Sequence, residues 1–275
     1  MKGSAAVVTG GGSGIGRGIA IALADAGADV MVADIDAGAA QSTAAAVAAR
    51  GVRSDSMRVD VVDPENVEAL AQAAFEHFAG LRILINSAGV AVRRPLLEAT
   101  QRDWDYVMAV SLYGIVNCCR SFATRWKAAG TRAQIVNNAS MAALLAQPIE
   151  GLGIYNAVKH ACLGYSESLR NELAPHGIDV GVLCPGFVVT DLQNNSLRHR
   201  QERFGGPEQA SYEAPSPPAG TAAMTAGRCG EIVVRALAQR RLLILTHPER
   251  RWQVQARHAA FMEDFDAAEG YVGAD

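Results

Sequence analysis

Runs such as "AAVVT", "DVMVA", "RILIN" and "QIVNN" are apolar on successive residues, and they alternate along the chain with longer helical patterns. A strand that is apolar on both faces belongs between two layers, as in the middle of a parallel sheet. The expected strands are Ala5–Thr9, Asp29–Asp34, Ser54–Asp60, Arg82–Asn86, Ala133–Asn138, Asp179–Cys184 and Leu242–Leu245. Helical patterns fill the gaps at Ile15–Ala26, Ala37–Arg50, Pro64–Phe78, Asp103–Ala129, Tyr155–Ala174 and Thr225–Gln239. Asp63-Pro64 is a good start signal, an N-cap followed by proline in the first turn. Repeated β-α-β units with right-handed crossovers give an α/β fold, a doubly wound parallel sheet with helices on both faces.

Two segments break the alternation. Gln201–Gly220 is rich in Gly and Pro and lacks periodicity. It follows the carboxyl end of a strand, where α/β sites lie, so residues 191–225 are expected to form a mobile substrate lid. The extension 247–275 has a weak helical pattern over Pro248–Ala268 and is expected to pack on the body or on a partner. With no internal repeat, residues 1–275 read as one domain.

A net charge of −3 provides no global basic field, so neither nucleic acid nor membrane is an expected partner. Arg198-His199-Arg200 and Arg240-Arg241 read as solvated faces. The N-terminus enters a strand without the apolar region of a signal peptide, and no later stretch reads as the roughly 18 apolar residues of a span. A cytoplasmic location is the expectation. Cys118, Cys119, Cys162, Cys184 and Cys229 are odd in number and lack C-x-x-C spacing. Buried reduced thiols are expected rather than disulfides, and no metal site.

The first strand runs into "TGGGSGIGRGIAIALADAG". Thr9-Gly10 and Gly14-Ile15-Gly16 form T-G-x-x-x-G-x-G at a strand-to-helix turn, where glycine admits positive φ and close approach of a diphosphate. The helix N-terminus adds unpaired N–H groups and a favourable dipole. The second strand ends at Asp34, whose carboxylate suits the two hydroxyls of an adenosine ribose and repels a 2′-phosphate. Ser13 and Ile35 leave no evident arginine for such a phosphate, so NAD is expected rather than NADP.

Tyr155 and Lys159 stand one helical turn apart and share a face. Together with Thr9–Gly16, Asn86-Ser87-Ala88-Gly89, Ser140 and Pro185-Gly186, they make the chain resemble the short-chain dehydrogenase/reductase family from about Ala5 to Leu245. The resemblance implies a Rossmann fold and cofactor contacts at Gly10, Ser13, Gly14, Ile15, Gly16, Asp34, Ile35, Asp60, Val61, Asn86, Ala88, Gly89, Tyr155, Lys159, Pro185, Gly186, Val188 and Thr190. It implies hydride transfer between a secondary alcohol and NAD, with Ser140 holding the substrate oxygen and Tyr155 as acid/base. A free phenol, with a pKa near ~10, is a poor base at neutral pH, and cationic Lys159 would favour the phenolate. Family members form dimers or tetramers through the helices matching Asp103–Ala129 and Tyr155–Ala174. Those helices carry more apolar positions than one sheet contact needs (Val107, Val110, Ile115, Phe122, Ala161, Leu163, Leu169), so a homo-oligomer is expected.

Two departures stand out. Ser87 replaces an asparagine, a small change to packing. Ser111 stands where the family has an asparagine that helps hold a water between the lysine and solvent, and serine has shorter reach. A non-catalytic dinucleotide-binding sensor and an NADP-linked carbonyl reductase therefore stay open beside the NAD-dependent dehydrogenase. Met141, Ala142, Leu144, Phe187 and Leu192 suggest an apolar pocket, for a small-molecule alcohol or ketone of aromatic or alicyclic character. Arg93 and Arg94 are read as solvent-facing.

Overall fold

A computed structural model describes residues 1–146, 150–207 and 223–272. Its strands are β1 (Ala5–Thr9), β2 (Asp29–Asp34), β3 (Ser54–Arg58), β4 (Leu81–Asn86), β5 (Ala133–Asn138), β6 (Ile178–Cys184) and β7 (Leu243–Leu245). They form one sheet in the order β3-β2-β1-β4-β5-β6-β7, with every pairing parallel. The order reverses between β1 and β4, and a crevice opens there at the carboxyl ends of the strands. The helices are α1 (Gly14–Asp25), α2 (Ala37–Ala48), α3 (Pro64–His77), α4 (Gln101–Met108), α5 (Gly114–Ala129), α6 (Gly153–Leu173), α7 (Leu192–Arg198), α8 (Ala226–Gln239) and α9 (Arg251–Val272).

The successive apolarity of the strands is explained by two cores. Val7, Met31, Leu84, Ile135 and Val180 enter one cluster, while Val8, Val32, Ile85, Val136 and Leu183 enter the other. Alternate residues of a strand point to opposite faces, so both faces of this sheet are covered. All five cysteines are free and buried, and burial pushes the Cys119, Cys184 and Cys229 thiols up to about 12.

Helix starts follow local chemistry. Asp63 caps α3 by accepting from Glu65 and Asn66 N–H, with Pro64 in the first turn. A reciprocal capping box of Thr100 and Asp103 starts α4 two residues earlier than expected. The helix expected over Asp103–Ala129 is not uniform: Ala109–Tyr113 is a π-helical segment between α4 and α5, and it contains Ser111. Local side-chain pattern does not mark such a widening, because the tertiary contact of Ser111 described below helps fix it.

Gln101–Ala129 as a whole is long and apolar enough to cross a membrane by length and composition, which corrects the expectation that no stretch is. Its most apolar window is 61% buried within the protein, so core packing explains the composition. Of the apolar positions expected as surplus on the oligomer helices, Val107, Ile115 and Phe122 are buried, while Val110, Leu163 and Leu169 pack against the cores and stay half-buried. Only Ala161 is exposed.

The expected lid falls partly outside the described residues, since 208–222 are not among them. Its described part comprises α7, a short 3-10 turn at Glu202–Phe204, and Thr225, the N-cap of α8. Phe204 is buried against Tyr106, ring centroids 5.3 Å apart. The tail does form a helix, α9, of which Val254 reaches the body's core.

Candidate active site

The turn after β1 comes so close to the loop after β4 that only glycine fits. Gly10 has φ +63°, and a Cβ there would lie 2.6 Å from the Ala88 backbone. Ser13 precedes α1 in an extended conformation and makes no side-chain cap, and α1 has no acidic residue in its first turn. That leaves an uncompensated helix N-terminus facing the crevice, which suits a diphosphate. Asp34, at the end of β2, accepts from Gly12 N–H at 2.9 Å through one oxygen and from Asp36 N–H at 3.0 Å through the other. The carboxylate is thereby aimed, with acceptor capacity to spare for a ribose diol.

The ends of β4 and β5 carry a polar chain beneath the crevice. Asn86 donates to Asn137 Oδ1 at 2.8 Å, and Asn137 donates to Ser166 Oγ at 2.9 Å. Asn138 donates to Ser87 Oγ at 3.0 Å, so the departure at position 87 has a partner of its own. Asn138 Oδ1 is buried without a partner, an acceptor available to a bound ligand.

On α6, Lys159 is buried and donates to the Asn138 carbonyl at 2.8 Å. Its ammonium stands 5.4 Å from the centroid of the Tyr155 ring. Ser140 Oγ accepts from Ala142 N–H at 3.1 Å. Ser111 Oγ accepts from Val90 N–H at 3.0 Å and approaches the Val90 carbonyl at 3.3 Å, tethering the loop after β4. A Cβ on Gly89 would sit 3.5 Å from Ser111 Oγ and 3.7 Å from Lys159 Nζ, so hydroxyl and ammonium flank one glycine. Asn117 donates to the Val61 carbonyl at 3.0 Å and braces the loop after β3. Tyr165 packs against the core, as its position suggests.

These elements enclose a cavity of about 300 Å³. Gly10, Ser13, Gly14, Ile15, Gly16, Asp34, Ile35, Asp60, Val61, Ala88, Gly89, Tyr155, Lys159, Pro185 and Thr190 all line it. Asn86, Ser111, Ser140, Gly186 and Val188 are not part of its wall. Asn86 and Ser111 are fully enclosed. Gly186 N–H is held by Thr246 Oγ1 at 3.1 Å and His247 Nδ1 at 3.2 Å. Val188 pairs with Met224. Of the residues expected to form an apolar substrate pocket, Leu192 alone belongs to the wall, because Met141 and Ala142 are turned into the core.

Sequence reasoning expected Pro185, Thr190 and Leu192 at the site but missed the polar residues that follow them after β6. Arg198, His199 and Gln201 line the cavity at the Asp34 end, and His199 Nε2 lies 4.0 Å from Asp36. Arg200 is not solvated: it is 5% exposed and donates to Asp103 Oδ1 at 2.8 Å. Arg94 also pairs with Asp103, at 3.2 Å, rather than facing solvent alone. Asp60 accepts from Gln201 at 2.7 Å and Arg203 at 2.8 Å. Their position after the sixth strand's carboxyl end was the available signal. The glycine cradle, the bare helix N-terminus, the aimed Asp34 and the unpartnered Asn138 oxygen all fit a dinucleotide.

A family model described as short chain dehydrogenase matches residues 4–201. The chain belongs to the short-chain dehydrogenase family. Members of this family are oxidoreductases that use a nicotinamide cofactor. The chain is 40% identical over 185 residues to the "Probable oxidoreductase EphD" of Mycobacterium tuberculosis, a match covering 67% of this chain but 31% of that protein. This short-chain dehydrogenase thus spans under a third of that relative's length. A short-chain dehydrogenase/reductase of Burkholderia phymatum, solved with NAD, superposes with a TM-score of 0.86 at 34% identity, covering 96% of this chain and 95% of that one. An Agrobacterium tumefaciens dehydrogenase solved with bound NADP superposes at 0.71 and 28% identity, covering 90% and 95%.

Proposed function

We propose that the protein interconverts a secondary alcohol and a ketone with NAD, using Tyr155 as the acid/base. What supports this reading above all is the pairing on α6: Tyr155 and Lys159 both face the cavity, and the Lys159 ammonium is fixed by the Asn138 carbonyl at 2.8 Å. Bound in the cavity, NAD supplies the acceptor for the hydride that leaves the carbinol carbon. The glycine turn and α1 N-terminus hold its diphosphate, and Asp34 holds its adenosine ribose. The family resemblance assigns Ser140, enclosed behind the cavity wall, to orient the substrate oxygen through its hydroxyl proton, one lone pair of its oxygen being engaged by Ala142 N–H. Tyr155 takes the alcohol proton through its phenolate oxygen and returns it in the reverse direction. Lys159 favours the negative charge on that oxygen electrostatically and positions the nicotinamide ribose. With Leu192, Val90 and Val110 in the wall, the substrate is an apolar small molecule. A homo-oligomer and a cytoplasmic location are carried by the family resemblance and the sequence reading alone.

Formation of NADH across a panel of secondary alcohols tests the proposal, with Tyr155→Phe as the comparison. The variant keeps the ring but has no transferable proton, so turnover falls by about 10²–10⁴ while dinucleotide binding persists. Near-normal turnover in that variant removes Tyr155 from the reaction. Absence of turnover in the unmodified protein, with binding intact, supports the sensor reading instead. NADP-linked reduction is favoured by one observation, Arg198 and His199 at the Asp34 end of the cavity, and parallel kcat/KM measurements with both dinucleotides decide it.

A further inference from the structure

Helix α9 has 22 residues, and among the described residues the body holds it at its root. Val254 packs against the core and Arg257 donates to the Leu144 carbonyl at 2.9 Å. From His258 to Gly270 every residue but the half-buried Ala268 is exposed. Val254, His258, Phe261, Phe265 and Ala268 follow one another at spacings of four and three, which draws a single stripe along the helix. Phe261 is 46% exposed and Phe265 68%. The stripe that begins in the core at Val254 therefore continues into solvent with two phenylalanines on it.

The charges of α9 run against its own dipole. The cationic Arg251 and Arg257 occupy the first half, with the imidazole of His258 beside them, while Glu263, Asp264, Asp266 and Glu269 occupy the second. The first turn has no acidic residue and the last turn no basic one. A helix favours the opposite arrangement, acids at its start and bases at its end, so α9 is poorly matched to standing alone. A second helix laid antiparallel reverses the problem. Twofold symmetry then sets each basic half against an acidic half, at both ends at once. It also brings Phe261 of one copy against Phe265 of the other, near the axis. Parallel pairing would place like charges together and gains nothing. The concentration of acid on the free half equally disfavours an anionic lipid surface.

We propose that α9 is a self-association helix that pairs antiparallel with α9 of a second copy of this chain. The pairing is independent of the reaction assigned above and of any contact through α4, α5 or α6. It is tested by light scattering on the full chain. The unmodified protein is expected at an even multiple of 28.9 kDa, and Phe261→Ser/Phe265→Ser is expected at half that mass, with thermal unfolding of the body and alcohol turnover unchanged within about twofold. Arg251→Glu/His258→Glu and Asp264→Lys/Asp266→Lys/Glu269→Lys each dissociate alone, and an equimolar mixture of the two reassociates. Wild-type mass in the phenylalanine variant overturns the proposal, as does a mixture that stays apart. A monomeric wild type that co-sediments with phosphatidylcholine vesicles through Phe261 and Phe265 also overturns it and reassigns the stripe to lipid.

Discussion

Asp103→Asn removes one charge from the most enclosed ion cluster described for this protein. Asp103 is 1% exposed and meets Arg200, itself 5% exposed, at 2.8 Å, and the half-exposed Arg94 at 3.2 Å. Thr100 N–H and Oγ1 donate to the same carboxylate at 2.9 and 2.7 Å. Breaking a buried pair from one side costs about 3–5 kcal/mol, because the remaining charge is left uncompensated. Asparagine still accepts from Thr100, which places the expected loss near the lower figure, about 3 kcal/mol, or roughly 6–12 °C in Tm. The double variant Asp103→Asn/Arg200→Met removes the stranded charge and should recover at least half of that loss. Desolvation works to raise the Asp103 pKa, but hydrogen bonds from Thr100 and Arg200 and the charge of Arg94 outweigh it, and the carboxyl is held below its ordinary value of 3.8. A lowered carboxylate contributes its stability above the unfolded value and loses it as pH falls through the folded one. The difference between wild type and Asp103→Asn should therefore be constant from neutral pH down to about 5 and shrink below about 4. Urea unfolding followed by circular dichroism across that range measures it. A single-variant loss under about 1 kcal/mol, or a double variant no more stable than the single, refutes the reasoning.

Three further outcomes follow from the site. Asp34→Ala should narrow the preference for NAD over NADP by about tenfold or more in kcat/KM, since it deletes ribose hydrogen bonds and relieves repulsion of a 2′-phosphate; an unmodified enzyme that prefers NADP contradicts this. Gly89→Ala fits at ordinary contact distances but fills the space between Ser111 Oγ and Lys159 Nζ. If a relay water uses that space, kcat falls about tenfold and its pH profile shifts while dinucleotide affinity holds, whereas an unchanged profile takes the relay elsewhere. Ser87→Ala should cost about 1 kcal/mol in chemical denaturation by stranding the Asn138 amide, and a neutral effect means that Asn138 finds another acceptor.

The strands and most helices were readable because their signals are local. "AAVVT" and "RILIN" are apolar on both sides, and Asp63-Pro64 and the glycines of the first turn each act through their own neighbours. The pairing of Tyr155 with Lys159 was readable for the same reason, being set by helical spacing. What escaped depends on residues brought together across the chain. Arg200 looks like a surface arginine until Asp103, 97 residues away, is placed beside it. Ser111 looks like an interior helix residue until its hydroxyl is seen on the backbone of Val90. Val107, Ile115 and Phe122 look like surplus apolar positions until the cores that bury them are in view.

The enclosure of all five thiols has a practical side. With Cys119, Cys184 and Cys229 at about 12 and every cysteine shielded from solvent, a native thiolate is scarce near neutral pH. One cysteine introduced at an exposed position, such as Leu97, would be the sole site to react with a maleimide dye or a nitroxide. The chain thus comes with a silent background for spectroscopic reporters. Distances between two such reporters, one on the rigid sheet edge and one on the segment after β6, can be followed in the intact protein without first deleting a native cysteine.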